Sequence, residues 1–372
     1  MKKLMNLFCT MCVVATVFAA CGKDDPEPLT IGLQAQYETP NCKVLEIKPA
    51  IANGTASKYK WSCGDSIYST DEVFTFITAE VGKKDFVLTV TDAGEKVYTA
   101  NFAINVTDGG YKNIQTSVIE YDPAPYWLIN TYVIKNRDKA TVMKELNDML
   151  KVGKKFKDIG NGYRLGLPIG SMGGSAVLGF DHTIVNVPGE DDFKMEAAPD
   201  VCMSGVVYVA YDKNKNGKPD EDEWYELKGD NYGDEKVETL NAFVTYSSVV
   251  YLQDFDCFEI HYKDDLDKLS LMSGDNCFPG YDDQGNFMKE SGWREPPFTI
   301  RYKRVLANED SKGYVCALKN AFNIENAVDQ KGNSVNLPGI DFIKIVAGGY
   351  VVDEGSLPGI IVKDIYDCHL TK

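Results

Sequence analysis

The sequence predicts an all-β protein of two tandem sandwiches: a small one over residues 30–108 and a larger, jelly-roll-like one over 110–372 with one short helix. Three observations carry this expectation. The aromatic residues include 21 tyrosines and 17 phenylalanines, types that pack well on a pleated sheet. Short alternating or continuous apolar runs recur along the chain, separated by glycine, asparagine and aspartate turn signals. Only one stretch repeats its apolar residues at helical spacing.

The chain opens with Lys2 and Lys3, an apolar run over residues 5–20, and the small pair Ala19-Ala20 directly before Cys21. Residues 1–20 read as a secretory signal peptide. The run is short for a transmembrane helix and contains Cys9 and Cys12. Val17-Phe18-Ala19-Ala20-Cys21 resembles a bacterial lipobox, which implies a lipidated Cys21 that anchors the exported chain to a membrane. Residues 21–29 are charged and proline-rich, as an extended tether would be. Their acidic cluster of Asp24, Asp25 and Glu27 resembles the export signal of Bacteroidetes surface lipoproteins. That resemblance implies an outer-membrane, surface-exposed location.

Residues 30–108 hold runs at 44–47, 59–62, 73–77, 86–91 and 98–106, with turns at Asn53-Gly54, Gly64-Asp65 and Asp92-Ala93-Gly94. The spacing is that of a sandwich of about seven strands. Tyr59-Lys60-Trp61-Ser62-Cys63-Gly64-Asp65 followed by Val87-Leu88-Thr89-Val90-Thr91-Asp92 resembles a PKD-type immunoglobulin-like domain. The resemblance implies a stalk with Trp61 in its core, although Ser62-Cys63 stands where that family has an aromatic residue. Asp108-Gly109-Gly110 reads as a hinge.

Beyond the hinge, Tyr121-Asp122-Pro123-Ala124-Pro125-Tyr126-Trp127 is rigid and incompatible with a helix. Asp138 then reads as an N-cap, Val142, Leu146, Met149 and Leu150 fall at helical spacing, and Gly153 ends the helix. Strands are expected at 164–167, 176–180, 205–211, 243–252, 298–302, 342–346 and 359–362, with a long binding or mobile insert at 270–295.

The formal charge of −16 argues against nucleic acid and anionic lipid surfaces as partners and leaves carboxylates for cations. Seven cysteines follow Cys21, an odd number without a CxxC pair, and the histidines His182, His261 and His369 stand apart. A zinc site is therefore not expected. The thiols read as small buried hydrophobes, with Cys42–Cys63 the first disulfide to consider because both lie in one small domain.

The sharpest chemical motif is Asp212-Lys213-Asn214-Lys215-Asn216-Gly217-Lys218-Pro219-Asp220-Glu221-Asp222-Glu223. It has the oxygen-ligand spacing of an EF-hand loop, with Asp212, Asn214, Asn216, the Lys218 carbonyl, Asp220 and Glu223 as candidate Ca²⁺ ligands. Strand-like sequence on both sides, at 206–211 and 224–227, makes it a hairpin loop stiffened by one structural Ca²⁺.

With Glu120-Tyr121-Asp122-Pro123-Ala124-Pro125, Gly170-Ser171-Met172-Gly173-Gly174-Ser175 and Gly339-Ile340-Asp341-Phe342-Ile343-Lys344-Ile345, the calcium-like loop resembles a family of Bacteroidetes cell-surface lipoproteins. The resemblance covers most of residues 110–372 together with the PKD-like domain. It implies a surface location and, for some members, an accessory role beside outer-membrane transporters, including those for cobalamin. Tyr126-Trp127 replaces the Gly-Gln that the family tends to have there.

Ser171-Met172-Gly173-Gly174-Ser175 lacks a GxSxG elbow and a Walker lysine, so it reads as a close strand approach. His182 reads as a hydrogen-bonded strand residue, and the scattered carboxylates nominate no glycosidase pair. Tyr126, Trp127, Tyr281, Phe287 and Trp293 lie in turn-rich sequence and form the candidate ligand-binding surface, where rings could stack on sugar faces. The expected function is non-catalytic ligand binding at the cell surface, with an extracellular glycan as ligand. The alternative is an accessory binder of a small nutrient such as a corrinoid, partnering an outer-membrane transporter.

Overall fold

The chain is all-β, and in the computed structural model it divides into two compact units, Met1–Gly110 and Tyr111–Lys372. The structure describes residues 27–134, 136–162, 165–196, 205–229, 232–233, 238–254, 257–266, 269–274, 279–282, 284–305, 320–348 and 359–370. The signal peptide, Cys21 and most of the tether lie outside them.

The first unit holds β1 (Thr30–Gly32), β2 (Gln36–Pro40), β3 (Leu45–Ile47), β4 (Ala50–Ala52), β5 (Ala56–Cys63), β6 (Ser66–Ser69), β7 (Phe74–Phe76), β8 (Gly82–Asp92) and β9 (Val97–Thr107). A five-stranded sheet in the order β2-β9-β8-β5-β6 is accompanied by the pairs β3-β7 and β1-β4. Alternation sets what is buried: Phe74 and Phe76 turn inward and Thr75 outward, as period-two side chains must. Trp61 is fully buried, stacks on Phe74 at 5.0 Å, and donates its indole N–H to the Asp71 carbonyl at 2.8 Å. Its polar edge is thus satisfied inside an apolar core. The Cys42–Cys63 disulfide is not formed. Cys42 is buried after β2, and Cys63 pairs across the β5–β6 hairpin with Ser66.

The second unit begins with β10 (Ser117–Asp122). A single turn α1 (Trp127–Ile129) runs into a π-helical turn, Asn130–Ile134, and then comes α2 (Lys139–Lys151). Its strands continue as β11 (Leu167–Gly170), β12 (Ser175–Val185), β13 (Phe193–Met195), β14 (Gly205–Ala210), β15 (Trp224–Leu227) and β16 (Glu238–Leu252). Then come β17 (Cys257–Asp264), β18 (Leu269–Gly274), β19 (Phe298–Val305), β20 (Asn320–Phe322), β21 (Ala327–Val328), β22 (Gly339–Ala347), β23 (Ile360–Val362) and β24 (Ile365–Asp367). A six-stranded sheet, β10-β12-β22-β14-β15-β21, is joined by a four-stranded sheet, β18-β17-β16-β19, and by the smaller sheets β20-β13-β24 and β11-β23.

The Asp138 carboxylate caps α2 by accepting the Thr141 amide at 2.8 Å, and Val142, Leu146 and Leu150 form the buried stripe. β17 was not among the expected strands, although Phe258, Ile260 and Tyr262 alternate inward along it. The expected insert at 270–295 is partly sheet, since β18 occupies its start.

Glycines at 170–174 bring backbones together. A Cβ on Gly170 would lie 2.2 Å from the Ala124 carbonyl oxygen, and one on Gly174 would lie 1.9 Å from that of Ile169. The segment is a close approach between chain segments, as its sequence suggests.

Candidate functional site

The outer face of the six-stranded sheet carries the site. Its other face supplies core residues such as Ala176, Leu178, Val207, Val209, Ile343 and Ile345, all buried. Period-two alternation sends their neighbours outward. Register aligns Glu120, Val177, Lys344, Tyr208 and Glu226 in one row across β10, β12, β22, β14 and β15. The row on one side holds Asp122, Ser175 and Val346. On the other side lie Phe342, Ala210 and Trp224. Trp224 rests on Val177, Ala210 and Phe342, so one end of the face is apolar.

Strand β19, the edge of the four-stranded sheet, forms the second wall. Thr299, Ile300, Arg301, Tyr302 and Lys303 face Glu120, Asp122, Ser175, Tyr208, Trp224 and Lys344 across an open cleft of about 540 Å³, with Arg294 at its rim. That volume is within the usual range for a small-ligand site. A smaller recess of about 160 Å³ adjoins it through Asp122, Arg294 and Ile300.

The charges in the cleft differ in how far they are committed. Lys303 is spent on Glu226 at 2.6 Å, both nearly buried, and sits over the Tyr232 ring at 4.7 Å. Asp122 is paired with Lys139 and lies 4.0 Å from Arg294. Its hydrogen bond to Asp122 and desolvation in the cleft raise the Glu120 carboxyl above the ordinary range. Burial pushes Asp122 up, but its bonds to Glu120 and Lys139 and the Arg294 charge outweigh this and hold it low. Two carboxyls bonded to each other leave no room for the sugar and water that a glycosidase pair must straddle. Lys344 and Arg301 enter no ion pair among the described residues.

The ring set proposed from sequence is not a surface. Tyr126, Tyr281 and Trp293 are buried. Phe287 packs beside Tyr281 at 5.3 Å, against the core formed by Tyr246, Tyr262 and Tyr302. Tyr126 covers Gly359, where a Cβ would sit 2.4 Å from the ring. Trp293 donates its indole N–H to the Arg137 carbonyl at 2.9 Å and touches solvent only at the smaller recess. The Trp127 side chain lies outside what the structure describes. Tyr126 and Trp293 find partners far away in sequence, Gly359 and Tyr121, whereas Tyr281 and Phe287 pack on each other and on the core. In the cleft the rings open to a ligand are Tyr208 and Trp224, both half-buried.

The calcium-like loop is a hairpin connection from β14 to β15, as expected. It gathers its candidate ligands. Asp212 accepts the amides of Asn216 at 3.0 Å and Gly217 at 2.8 Å. Both Asn214 and Asn216 donate their side-chain amides to Asp220 Oδ2. Asn216 Oδ1 accepts the Lys218 amide at 2.8 Å. Glu223 is buried and accepts the amides of Lys213 at 2.8 Å and Asp220 at 3.0 Å. Below them Asp341 accepts the Asp212 amide at 2.8 Å; burial raises its carboxyl, and the Asp212 and Glu223 charges add to the rise. No cluster of three or more His, Cys, Asp or Glu side chains at metal-binding spacing occurs among the described residues. An EF-hand set, however, draws half its oxygens from Asn and a carbonyl. Glu223 directly precedes Trp224, so this loop fixes one end of the cleft.

His182 has a different role from a general base. It is buried, and both ring nitrogens are taken up by carboxylates, Asp181 at 2.9 Å and Asp367 at 2.8 Å.

No known protein family matches the chain, and no curated relative matches it. Among solved structures, a quinonprotein alcohol dehydrogenase-like protein from Bacteroides thetaiotaomicron aligns with 64% of this chain at 11% identity and a TM-score of 0.19. The chain spans 46% of that structure's length. A structure of carbohydrate-binding modules from the β-sandwich superfamily aligns with 92% of this chain and 97% of its own, at 11% identity and a TM-score of 0.16. At such scores neither likeness carries an argument about fold or function.

Proposed function

We propose that the protein is a non-catalytic glycan-binding lipoprotein, anchored through Cys21 in the outer membrane and exposed at the cell surface. It takes its ligand in the cleft between the six-stranded sheet and β19. The observation that carries this reading is the conjunction of two accessible rings, Tyr208 and Trp224, with hydrogen-bonding and charged side chains in one open cleft of about 540 Å³. Aromatic faces stack on the C–H faces of sugars while the polar groups fix ring hydroxyls. Calorimetric titration with a panel of neutral and acidic polysaccharides and corrinoids tests it. Saturable polysaccharide binding that weakens about tenfold in Trp224→Ala supports the reading, the loss of one well-packed stacking contact being of that order. Corrinoid binding with every polysaccharide silent would make the protein an uptake accessory for a transporter instead.

We propose further that the loop from Asp212 to Glu223 holds one structural Ca²⁺. Its candidate donors are all oxygen, and the carboxylates that Asp212, Asp220 and Glu223 contribute to one loop, with Asp341 beneath the Asp212 amide, supply the negative charge that a divalent cation neutralises. Binding there would stiffen the strand end that presents Trp224. A chelator should lower the melting temperature of the wild type and leave Asp212→Ala and Glu223→Gln unchanged. Equal sensitivity in all three would reduce the loop to a hydrogen-bonded turn.

A further inference from the structure

We infer that the ligand of this cleft is an acidic saccharide, one whose carboxylate or sulfate is received by Lys344 and Arg301. The inference rests on the glycan reading above and narrows its substrate class.

The chain as a whole carries a formal charge of −16, so its average field repels anions. Cations nevertheless concentrate in the cleft: Arg294, Arg301, Lys303 and Lys344 line it against only two carboxyls, Glu120 and Asp122. Several of these groups cancel one another. Lys303 is bound to Glu226, and Asp122 is bound to Lys139. The cleft still holds more cations than carboxyls, and neither Lys344 nor Arg301 is in an ion pair among the described residues. Lys344 stands at the centre of the sheet, half-buried between Val177 and Tyr208 in the same row. A lysine at a central sheet position loses hydration, and such a charge is normally compensated by a partner. Here it makes no ion pair among the described residues; Glu120 feels its charge across the face but is hydrogen-bonded to Asp122. Arg301 projects from the opposite wall and is exposed, with a planar fork suited to a carboxylate or sulfate. Arg294 at the rim adds a third positive group, 4.0 Å from Asp122 and over the Phe298 ring at 5.7 Å. A ligand held between the walls would thus meet cations from both sides and rings from the sheet side. Neutral saccharides would bring no counter-charge to Lys344 and Arg301.

The test uses the full chain and three probes: neutral dextran, dextran sulfate on the same backbone, and polygalacturonate. Binding of polygalacturonate or dextran sulfate, with dextran silent, is the expected result, and the probe that binds identifies carboxylate or sulfate as the recognised group. Affinity should fall about 10- to 100-fold in Lys344→Met and in Arg301→Gln, as the loss of a charge-assisted hydrogen bond predicts. Lys344→Arg should retain most of the binding, and Lys289→Met, at an exposed site outside the cleft, should retain all of it. Arg301→Gln alters an exposed side chain, so its loss of binding can be read against an unchanged melting curve. If Lys289→Met weakens binding as much as Lys344→Met, the association is diffuse and the inference fails. Binding of dextran equal to that of its sulfate, unaffected by Lys344→Met, would overturn the acidic preference and leave the glycan reading intact. If no saccharide of any charge binds, the glycan reading itself falls.

Discussion

Asp367 serves two histidines at once: one carboxylate oxygen meets His182 Nε2 at 2.8 Å and the other accepts the His369 backbone amide at 2.7 Å. His369 in turn reaches Asp192, which also holds the Val187 and Ile324 amides. Burial pushes the His182 imidazole down, but Asp367 and Asp181 outweigh it and raise its pKa. His369 is raised chiefly by its bond to Asp192. A basic group whose pKa is higher folded than unfolded contributes its full stability below the unfolded value of 6.5, and loses it as pH rises through the folded value. Melting temperature should therefore decline as pH rises above 6.5, and His182→Gln should flatten that decline while lowering the acid-side plateau. An identical alkaline slope in both proteins would show that the imidazole is neutral throughout. At this scale the sequence was readable wherever partners are local. The Asp212–Glu223 loop folds back on itself within its own motif, and Asp138 caps its own helix. Tyr126 and Trp293 were misread because their partners, Gly359 and the Arg137 carbonyl, are set only by the tertiary fold.

At the scale of elements, α2 does more than bury an apolar stripe. Asn147 on that helix accepts the Val118 amide and donates to the Val118 carbonyl, both at 3.0 Å. The helix thus closes the outer hydrogen-bonding edge of β10 beside its bulge, where an open strand edge would otherwise invite pairing with another chain. Asn147→Ala leaves both groups of Val118 without that partner and is expected to destabilise the second unit by about 2 kcal/mol. Denaturant unfolding measures this, and a change within experimental error would mean that water replaces the side chain. The helix itself was legible from its cap and spacing. β17 was equally available in the alternation of Phe258, Ile260 and Tyr262, yet the charged and polar residues between them, Glu259, His261 and Lys263, masked a strand with one solvent-facing side.

For the whole molecule, the class of fold was legible and the cleft was not. Its lining comes from strands far apart in the chain, near residues 120, 175, 208, 224, 301 and 344, and only sheet order brings them together. No local pattern marks Lys344 as special, since a lysine flanked by apolar residues is ordinary in a strand with one wet face. The separation of the walls depends on Gly173. A Cβ there would meet Ile300 Cγ2 at 2.6 Å and Tyr302 Cβ at 3.2 Å, and its φ of +90° disfavours any other residue. Gly173→Ala should push β19 outward, lower the melting temperature and weaken saccharide binding; Ile300→Ala in that background should restore part of both. Binding that is unchanged in Gly173→Ala would show that β19 is not held at this point. A single hydrogen atom in place of a methyl group thus works as the gauge of an aperture, setting how closely two sheets may draw together.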